Sequence, residues 1–316
     1  MRKTESTYPS FAISSRILTL ACGGLLLVLS SAVGTRSESV NRIITWGENS
    51  PEWNRALHLG GVRIGCSDAP ASCADYAQKT AKSQGVDKVF LSILLNPART
   101  ITDARQYSEL SRTHPVLYEV GFDDFVSQCE KLKLNSDALS ALLSQISHEL
   151  RSANPNLLLG ITLYEDELYS NRFPLDSLDE KFRESVDLVH LYPHYREEAR
   201  SFPEAVERTK MLFPRAKIIA GLYPYDRRDY LPCVQGGSTP CTNEEEINLF
   251  TESLKERLAM LNHSNVEWIE LFPGNFGMEA QWKGWQEPRS CHSERLQECI
   301  ANTKTMHEVV RTALNQ

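Results

Sequence analysis

The sequence predicts an α/β protein: a single-domain (β/α)8 TIM barrel over residues 38–316, following an N-terminal signal peptide. Two observations lead there. From Arg42 onward, eight apolar strand-like runs alternate with helical patterns. That alternation over about 280 residues has the unit count and length of such a barrel. The second observation is how the runs end, in carboxylates, tyrosines, prolines and glycines, as strands do where their carboxyl ends open into a polar hollow. The stretch from Pro115 to Asp124 shows both features at once. Val116, Tyr118, Val120 and Phe122 alternate with Leu117, Glu119, Gly121 and Asp123, a period of two with one apolar face. A carboxylate in mid-strand costs free energy unless its face lines a polar cavity.

In chain order, the first strand runs from Arg42 to Gly47 and ends at Glu48, and Ser50-Pro51-Glu52 opens a short helix by its capping chemistry. Gly61 to Ser67 is a second, weaker strand, followed by a helix from Cys73 to Ser83. Val89 to Leu95 is a third, continuous and β-rich as a strand buried on both faces should be. After the fourth strand, described above, Ser136 starts the clearest helix, with Leu139, Leu142, Leu143, Ile146 and Leu150 along one stripe and Asn154-Pro155 as its stop. The fifth strand, Leu157 to Tyr164, runs into Glu165-Asp166-Glu167, and the sixth, Asp187 to Tyr192, ends in Pro193-His194-Tyr195. A helix through Ala205, Val206, Thr209, Leu212 and Phe213 stops at Pro214. The seventh strand, Lys217 to Tyr223, ends in Pro224-Tyr225-Asp226. Beyond a Pro- and Gly-containing loop from Arg227 to Thr242, Asn243 caps a helix whose Glu244, Glu245 and Glu246 suit the positive end of the dipole. Val266 to Phe272 is the eighth strand, ending in Pro273-Gly274-Asn275, and a helix holding Met306, Val309, Val310 and Leu314 closes the chain. The competing architecture, a doubly wound open sheet, would carry a Gly-rich phosphate turn after its first strand. Trp46-Gly47-Glu48-Asn49 is not one.

Arg2, Lys3 and Arg16 precede an uncharged apolar run from Ile17 to Val33, with small residues up to Gly34 to cut at. That is the layout of a secretory signal, so residues 1–34 are expected to be a signal peptide, with a retained N-terminal anchor as the alternative. The protein is then secreted or periplasmic. Cysteine usage points the same way: Cys66 with Cys73, Cys233 with Cys241, and Cys291 with Cys299 are close pairs in loop-like segments, spaced for local disulfides in an exported protein. Cys129 is left over and reads as a buried thiol on the helix after the fourth strand. None of the pairs has C-x-x-C spacing, and His190 and His194 would stand roughly 13 Å apart on a strand, so no metal and no cofactor is expected. A net charge of −7 offers no footprint for nucleic acid or for an anionic membrane beyond the N-terminal segment.

In a barrel of this kind, inward positions turn polar toward the carboxyl ends of the strands. Strand parity sends Glu119 and Asp123 inward from the fourth strand, Thr162 and Tyr164 from the fifth, and His190 and Tyr192 from the sixth. It sends Tyr223 and Tyr225 inward from the seventh, and Trp268, Glu270 and Phe272 from the eighth. With Trp46, Asp226 and Asn275 at strand ends, Tyr164, His190, Tyr192, Tyr223, Tyr225 and Phe272 form the expected substrate-binding set. Flat rings pack against the C–H faces of sugars, and carboxylates perform the acid and base steps of glycoside cleavage. Asp123, Asp124, Glu165 and Glu270 are the catalytic candidates. Each has an ordinary alternative: a helix cap for the two aspartates, a solvated loop for Glu165, and a structural pairing with an arginine or tyrosine for Glu270.

The Phe122-Asp123-Asp124-Phe125 stretch resembles the Asp-Asp at the end of the fourth strand in hexosaminidases that use the substrate's own acetamido group as nucleophile. The resemblance implies that Asp123 polarises the acetamide and Asp124 is the acid/base. Tyr223-Pro224-Tyr225-Asp226 is similar to the Tyr-Asp strand end of chitinase-like barrels, although it falls on the seventh strand and the spaced acidic run of chitinases is absent. The expected function is an exported glycoside hydrolase acting on a poly- or oligosaccharide. The alternatives are a non-catalytic carbohydrate-binding barrel and, behind it, an exported metal-free phosphodiesterase or esterase, for which the expected histidine pair or G-x-S-x-G is lacking.

Overall fold

The computed structural model describes residues 43–48, 51–171, 173–193, 200–223, 243–261, 264–272 and 296–314. Its eight strands are β1 (Ile43–Trp46), β2 (Gly61–Gly65), β3 (Val89–Ile93), β4 (Leu117–Phe122), β5 (Leu158–Tyr164), β6 (Leu188–Tyr192), β7 (Lys217–Leu222) and β8 (Trp268–Leu271). All pair in parallel with their sequence neighbours, and β8 returns to β1, closing a (β/α)8 barrel. The helices are α1 (Pro51–Ala56), α2 (Pro70–Gln84), α3 (Thr100–Leu110), α4 (Phe125–Leu132), α5 (Ser136–Leu150), α6 (Glu180–Ser185), α7 (Phe202–Leu212), α8 (Asn243–Leu261) and α9 (Leu296–Leu314). Among the described residues no helix is long and apolar enough to cross a membrane. Residues 1–34, the expected signal segment, lie outside them.

Two separate apolar clusters follow from strand alternation. Outward positions such as Val62, Ile64, Leu91, Val120, Ile161, Leu163, Val189, Leu191 and Ile218 pack under the helices. The α5 stripe of Leu139, Leu143, Ile146 and Leu150 is buried there, and α2 uses Cys73, Ala74, Ala77 and Ala81, whose small side chains let it sit close to the sheet. Inside the barrel, Ile44, Phe90, Leu188, Ile219 and Trp268 plug the amino-terminal end, with Tyr118 and Leu158 beside them. The polar residues stand above this plug.

The structure departs from the expected elements in particular places. A helix, α3, stands between β3 and β4 where the sequence shows no clear stripe, because its buried face is made of Thr100, Ala104, Tyr107 and Ser108. The β3–β4 register shifts between Val89 and Phe90, so that Val89 faces Leu117 while Phe90 faces Glu119. Tyr118 is skipped, leaves the outer apolar face and packs against Phe90 and Trp268 at ring distances of 5.2 and 6.4 Å. Several ladders stop before the extended chain does. Phe272, for example, lies past β8 yet its N–H still donates to the Leu222 carbonyl at 3.0 Å.

Cys66 and Cys73 form a disulfide with a Cα–Cα distance of 5.8 Å, clipping the exit of β2 to the first turn of α2. Cys129 is a free, buried thiol on α4, and burial pushes its ionisation up. Cys233, Cys241 and Cys291 lie outside the described residues, and Cys299 is described only as a position in α9.

Candidate active site

Above the apolar plug sits a charged layer, one side chain from each of five strands. Arg63 of β2 donates from Nη1 to Glu270 Oε2 of β8 at 3.3 Å and from Nη2 to Thr162 Oγ1 of β5 at 2.6 Å. His190 of β6 lies between two carboxylates, with Nδ1 at 2.5 Å from Glu270 Oε2 and Nε2 at 2.9 Å from Glu119 Oε2 of β4. Arg63, Glu119, Thr162, His190 and Glu270 are all essentially inaccessible to solvent. The room for Glu119 comes from two glycines. Gly121 on β4 and Gly160 on β5 face each other in register, and a Cβ on either would overlap the Glu119 carboxylate.

Charges at this depth persist only because each has a partner. Burial works against the Arg63 charge, but Glu270, Asp123 and Glu119 outweigh it and hold the guanidinium more firmly protonated. Burial also raises Glu270, yet Arg63 and His190 more than offset it, so the carboxyl ends below its usual range. For His190, burial and Arg63 pull the imidazole down while Glu119 and Glu270 pull it up, and the carboxylates win.

The mouth forms the next layer. Tyr164, Tyr192, Tyr223, Phe272 and Trp46 arrive from the ends of β5, β6, β7, β8 and β1 in a continuous chain of ring contacts, with centroids 6.3, 5.1, 5.4 and 5.8 Å apart in that order. Tyr192 fits because Gly221 on β7 has no side chain; a Cβ there would overlap the tyrosine ring. The Trp46 ring lies over the Arg63 guanidinium at 4.5 Å, joining the mouth to the charged layer beneath. Burial keeps the hydroxyls of Tyr164, Tyr192 and Tyr223 protonated, so all three are donors at neutral pH.

Two carboxylates complete the mouth. Asp123 Oδ1 stands 3.6 Å from Arg63 Nη2, and its side chain remains 38% exposed. Asp124 is exposed, in the left-handed region at φ 44°, and accepts a 2.7 Å hydrogen bond from the Tyr164 hydroxyl. An aspartate tolerates that backbone better than most residues, at a cost of roughly 1 kcal/mol. Gln128 of α4 pins the turn: its Oε1 accepts from Leu95 N–H at 2.5 Å and its side-chain amide donates to the Asp123 carbonyl.

The candidate residues are therefore sorted by the fold. Asp123, Asp124, Tyr164, Tyr192, Tyr223, Phe272 and Trp46 meet at the mouth, and His190 lies beneath them. Glu270 is inward as parity requires, but it sits wholly within the charged layer, bonded to Arg63 and His190. Glu165 opens the 3-10 turn Glu165–Tyr169 that follows β5; it is buried, and its Oε1 accepts from Ser201 Oγ at 2.5 Å. Tyr225, Asp226 and Asn275 lie outside the described residues.

Three residues in or beside the site were not among the candidates. Arg63 is a single arginine in the weakest strand pattern. Glu119 was placed inward by parity but had no partner until the barrel closed. Glu167, in the 3-10 turn Glu165–Tyr169, accepts the Tyr164 backbone N–H at 2.9 Å. Burial, with Asp166, Asp124 and Glu130 around it, pushes its carboxyl up to about 7. Among the described residues no group of three or more His, Cys, Asp or Glu side chains is arranged to hold a metal ion.

In fold, this chain resembles the TIM barrels of glycoside hydrolases. A GH10 xylanase from Thermobacillus composti superposes with a TM-score of 0.52 at 11% identity, over 84% of this chain and 97% of that one. An exo-β-1,4-mannosidase from Opitutaceae bacterium strain TAV5 gives 0.52 at 9% identity, over 84% of this chain and 60% of the mannosidase. A GH18 chitinase from Pseudoalteromonas aurantia gives 0.46 at 15%, over 85% and 99%. No protein-family model matches the sequence, and no curated protein matches it.

Proposed function

We propose that the protein is an exported glycoside hydrolase acting on a poly- or oligosaccharide, with Asp123 and Asp124 as its working carboxylates. One observation carries this. Two accessible carboxylates at the end of β4 meet a wall of five aromatic rings from five other strands, over a floor whose own charges are paired. Rings supply faces for sugar C–H groups, and the carboxylates accept from sugar hydroxyls.

The adjacency of the two aspartates favours substrate-assisted cleavage. Inverting and retaining enzymes that rely on two separate carboxylates place them across the sugar from one another, roughly 5–9.5 Å apart. Here the other two sequence candidates are engaged elsewhere, Glu165 buried against Ser201 and Glu270 bonded to His190 in the floor. Substrate assistance asks instead for one carboxylate that orients an acetamido group and one that moves the proton, the roles the hexosaminidase-like stretch implies for Asp123 and Asp124. Glu167, with its carboxyl near 7, stands within electrostatic reach of Asp124. The Cys66–Cys73 disulfide supports an extracytoplasmic location.

The same engagement of Glu165 and Glu270 favours a second reading, a carbohydrate-binding barrel without turnover. A reducing-end assay of the mature protein against amino-sugar and neutral glycans separates them. Product release that Asp124→Asn lowers by about two orders of magnitude supports the hydrolase. Glycan binding that survives Asp124→Asn, with no product, supports the binding barrel.

A further inference from the structure

We infer that the Glu119–His190–Glu270 cluster retains one proton more than a neutral histidine between two carboxylates would hold, and that His190 is a positioning residue for Asp123 through Glu270 and Arg63. The proton count follows from donors and acceptors alone. A neutral imidazole offers one N–H and one lone pair, whereas an ionised carboxylate only accepts. Both ring nitrogens face carboxylate oxygens, at 2.9 and 2.5 Å, so one contact would set lone pair against lone pair unless a further proton is present.

Imidazole is the stronger base, titrating near 6.5 in the free side chain against about 4.3 for a glutamate, so the ring between the two carboxylates takes that proton. His190 is met by Glu119 from β4, Glu270 from β8 and Arg63 from β2, two negative groups against one positive. Tyr192, two residues on along β6, is a neutral hydroxyl. Among the described residues, Thr162 beside it on β5 is a neutral hydroxyl, Phe90 of β3 presents a ring edge-on at 6.0 Å, and Ile44, Ile219 and Trp268 fill the plug below. With His190 charged, Arg63 and His190 balance Glu119 and Glu270. Without that proton, a sealed layer would carry an uncompensated negative charge, which costs several kcal/mol.

The effect reaches the mouth through Arg63. Its Nη1 is bound to Glu270 while its Nη2 lies 3.6 Å from Asp123. Glu270 Oε2 is shared between Arg63 and His190. If His190 gave up its second proton, Glu270 would turn its whole field on Arg63 and draw the guanidinium away from Asp123. The consequence for Asp123 rests on the hydrolase proposed above; the retained proton does not.

The first test is 15N NMR of the imidazoles in the full-length protein, with the His190 signals assigned by their loss in His190→Gln. Both His190 nitrogens should remain protonated from about pH 5 to about pH 8, a range in which a free imidazole titrates near 6.5. A ring that titrates in that interval, or carries one proton throughout, overturns the inference. The second test reads turnover. His190→Gln should move the acid limb of the kcat/KM profile upward by about one pH unit, and adding Glu119→Gln, which restores charge balance, should move it back. A limb that stays in place in His190→Gln while kcat falls would reduce His190 to a structural part. If no glycan is hydrolysed at all, the hydrolase proposal fails while the NMR result still decides the proton, so the two fail separately.

Discussion

The charged floor and the aromatic mouth share β4, β5, β6 and β8, and both carry carboxylates; they differ in depth. Glu270 and Asp123 both point inward and both approach Arg63, yet Glu270 is 0% exposed and Asp123 is 38% exposed. Deep in the barrel a carboxylate must be bonded on arrival, and its charge is committed to holding its neighbours. At the rim water shares the load, and the Asp123 carboxylate keeps a solvated face. Depth within the barrel decides whether a carboxylate is locked into pairs or left open to solvent.

The sharpest break in that contrast comes from Arg63→Met, which keeps the length and removes the charge. It strands Glu270 and should cost about 3–5 kcal/mol of stability in urea unfolding. A loss under about 1 kcal/mol would mean the floor is not held by its ion pairs. Asp124→Asn acts on the other layer. Asparagine also accepts the left-handed backbone at φ 44°, so unfolding should change little while turnover falls about 100-fold. Gly221→Ala tests the contact between the layers, because a Cβ there overlaps the Tyr192 ring. Overpacking of this kind costs about 1–3 kcal/mol, and glycan affinity should fall with it in a calorimetric titration.

The pH dependence of stability sharpens the picture further. Glu270 is held below its ordinary value of 4.5, so its contribution is present above that pH and is lost as pH falls. His190 is held above 6.5, so its contribution is complete below that pH and is lost as pH rises through the raised value. The floor should therefore stabilise the fold most between about pH 4.5 and 6.5, which a series of thermal melts would show as a maximum in Tm. The smallest expected effect belongs to Glu165→Gln, whose buried side chain is bonded to Ser201. Turnover should stay within about twofold of the parent in the same assay.

Much of this could be read before any coordinates. The eight apolar runs mark the strands, and a period of two assigns Glu119, Asp123, Thr162, Tyr164, His190 and Glu270 to the inner face without reference to tertiary contacts. Reading failed where local pattern and packing part company. Helix α3 hides its buried face in Thr100, Tyr107 and Ser108, which no hydropathy stripe reveals. Tyr118 obeys alternation in the sequence and breaks it in the sheet, because a one-residue register shift turns it toward the plug.

What the chain determines on its own is the alternation of its side chains, and with it the strands, the inner and outer faces, and the set of residues that could meet. Which of them do meet, and at what depth, was decided by closure. Only when β8 pairs with β1 does Arg63 stand beside Glu270, 207 residues away, and only then does His190 come between Glu270 and Glu119. The reason is physical: alternation is a local property of the backbone, whereas the pairing of buried charges depends on which distant strands surround the same small volume.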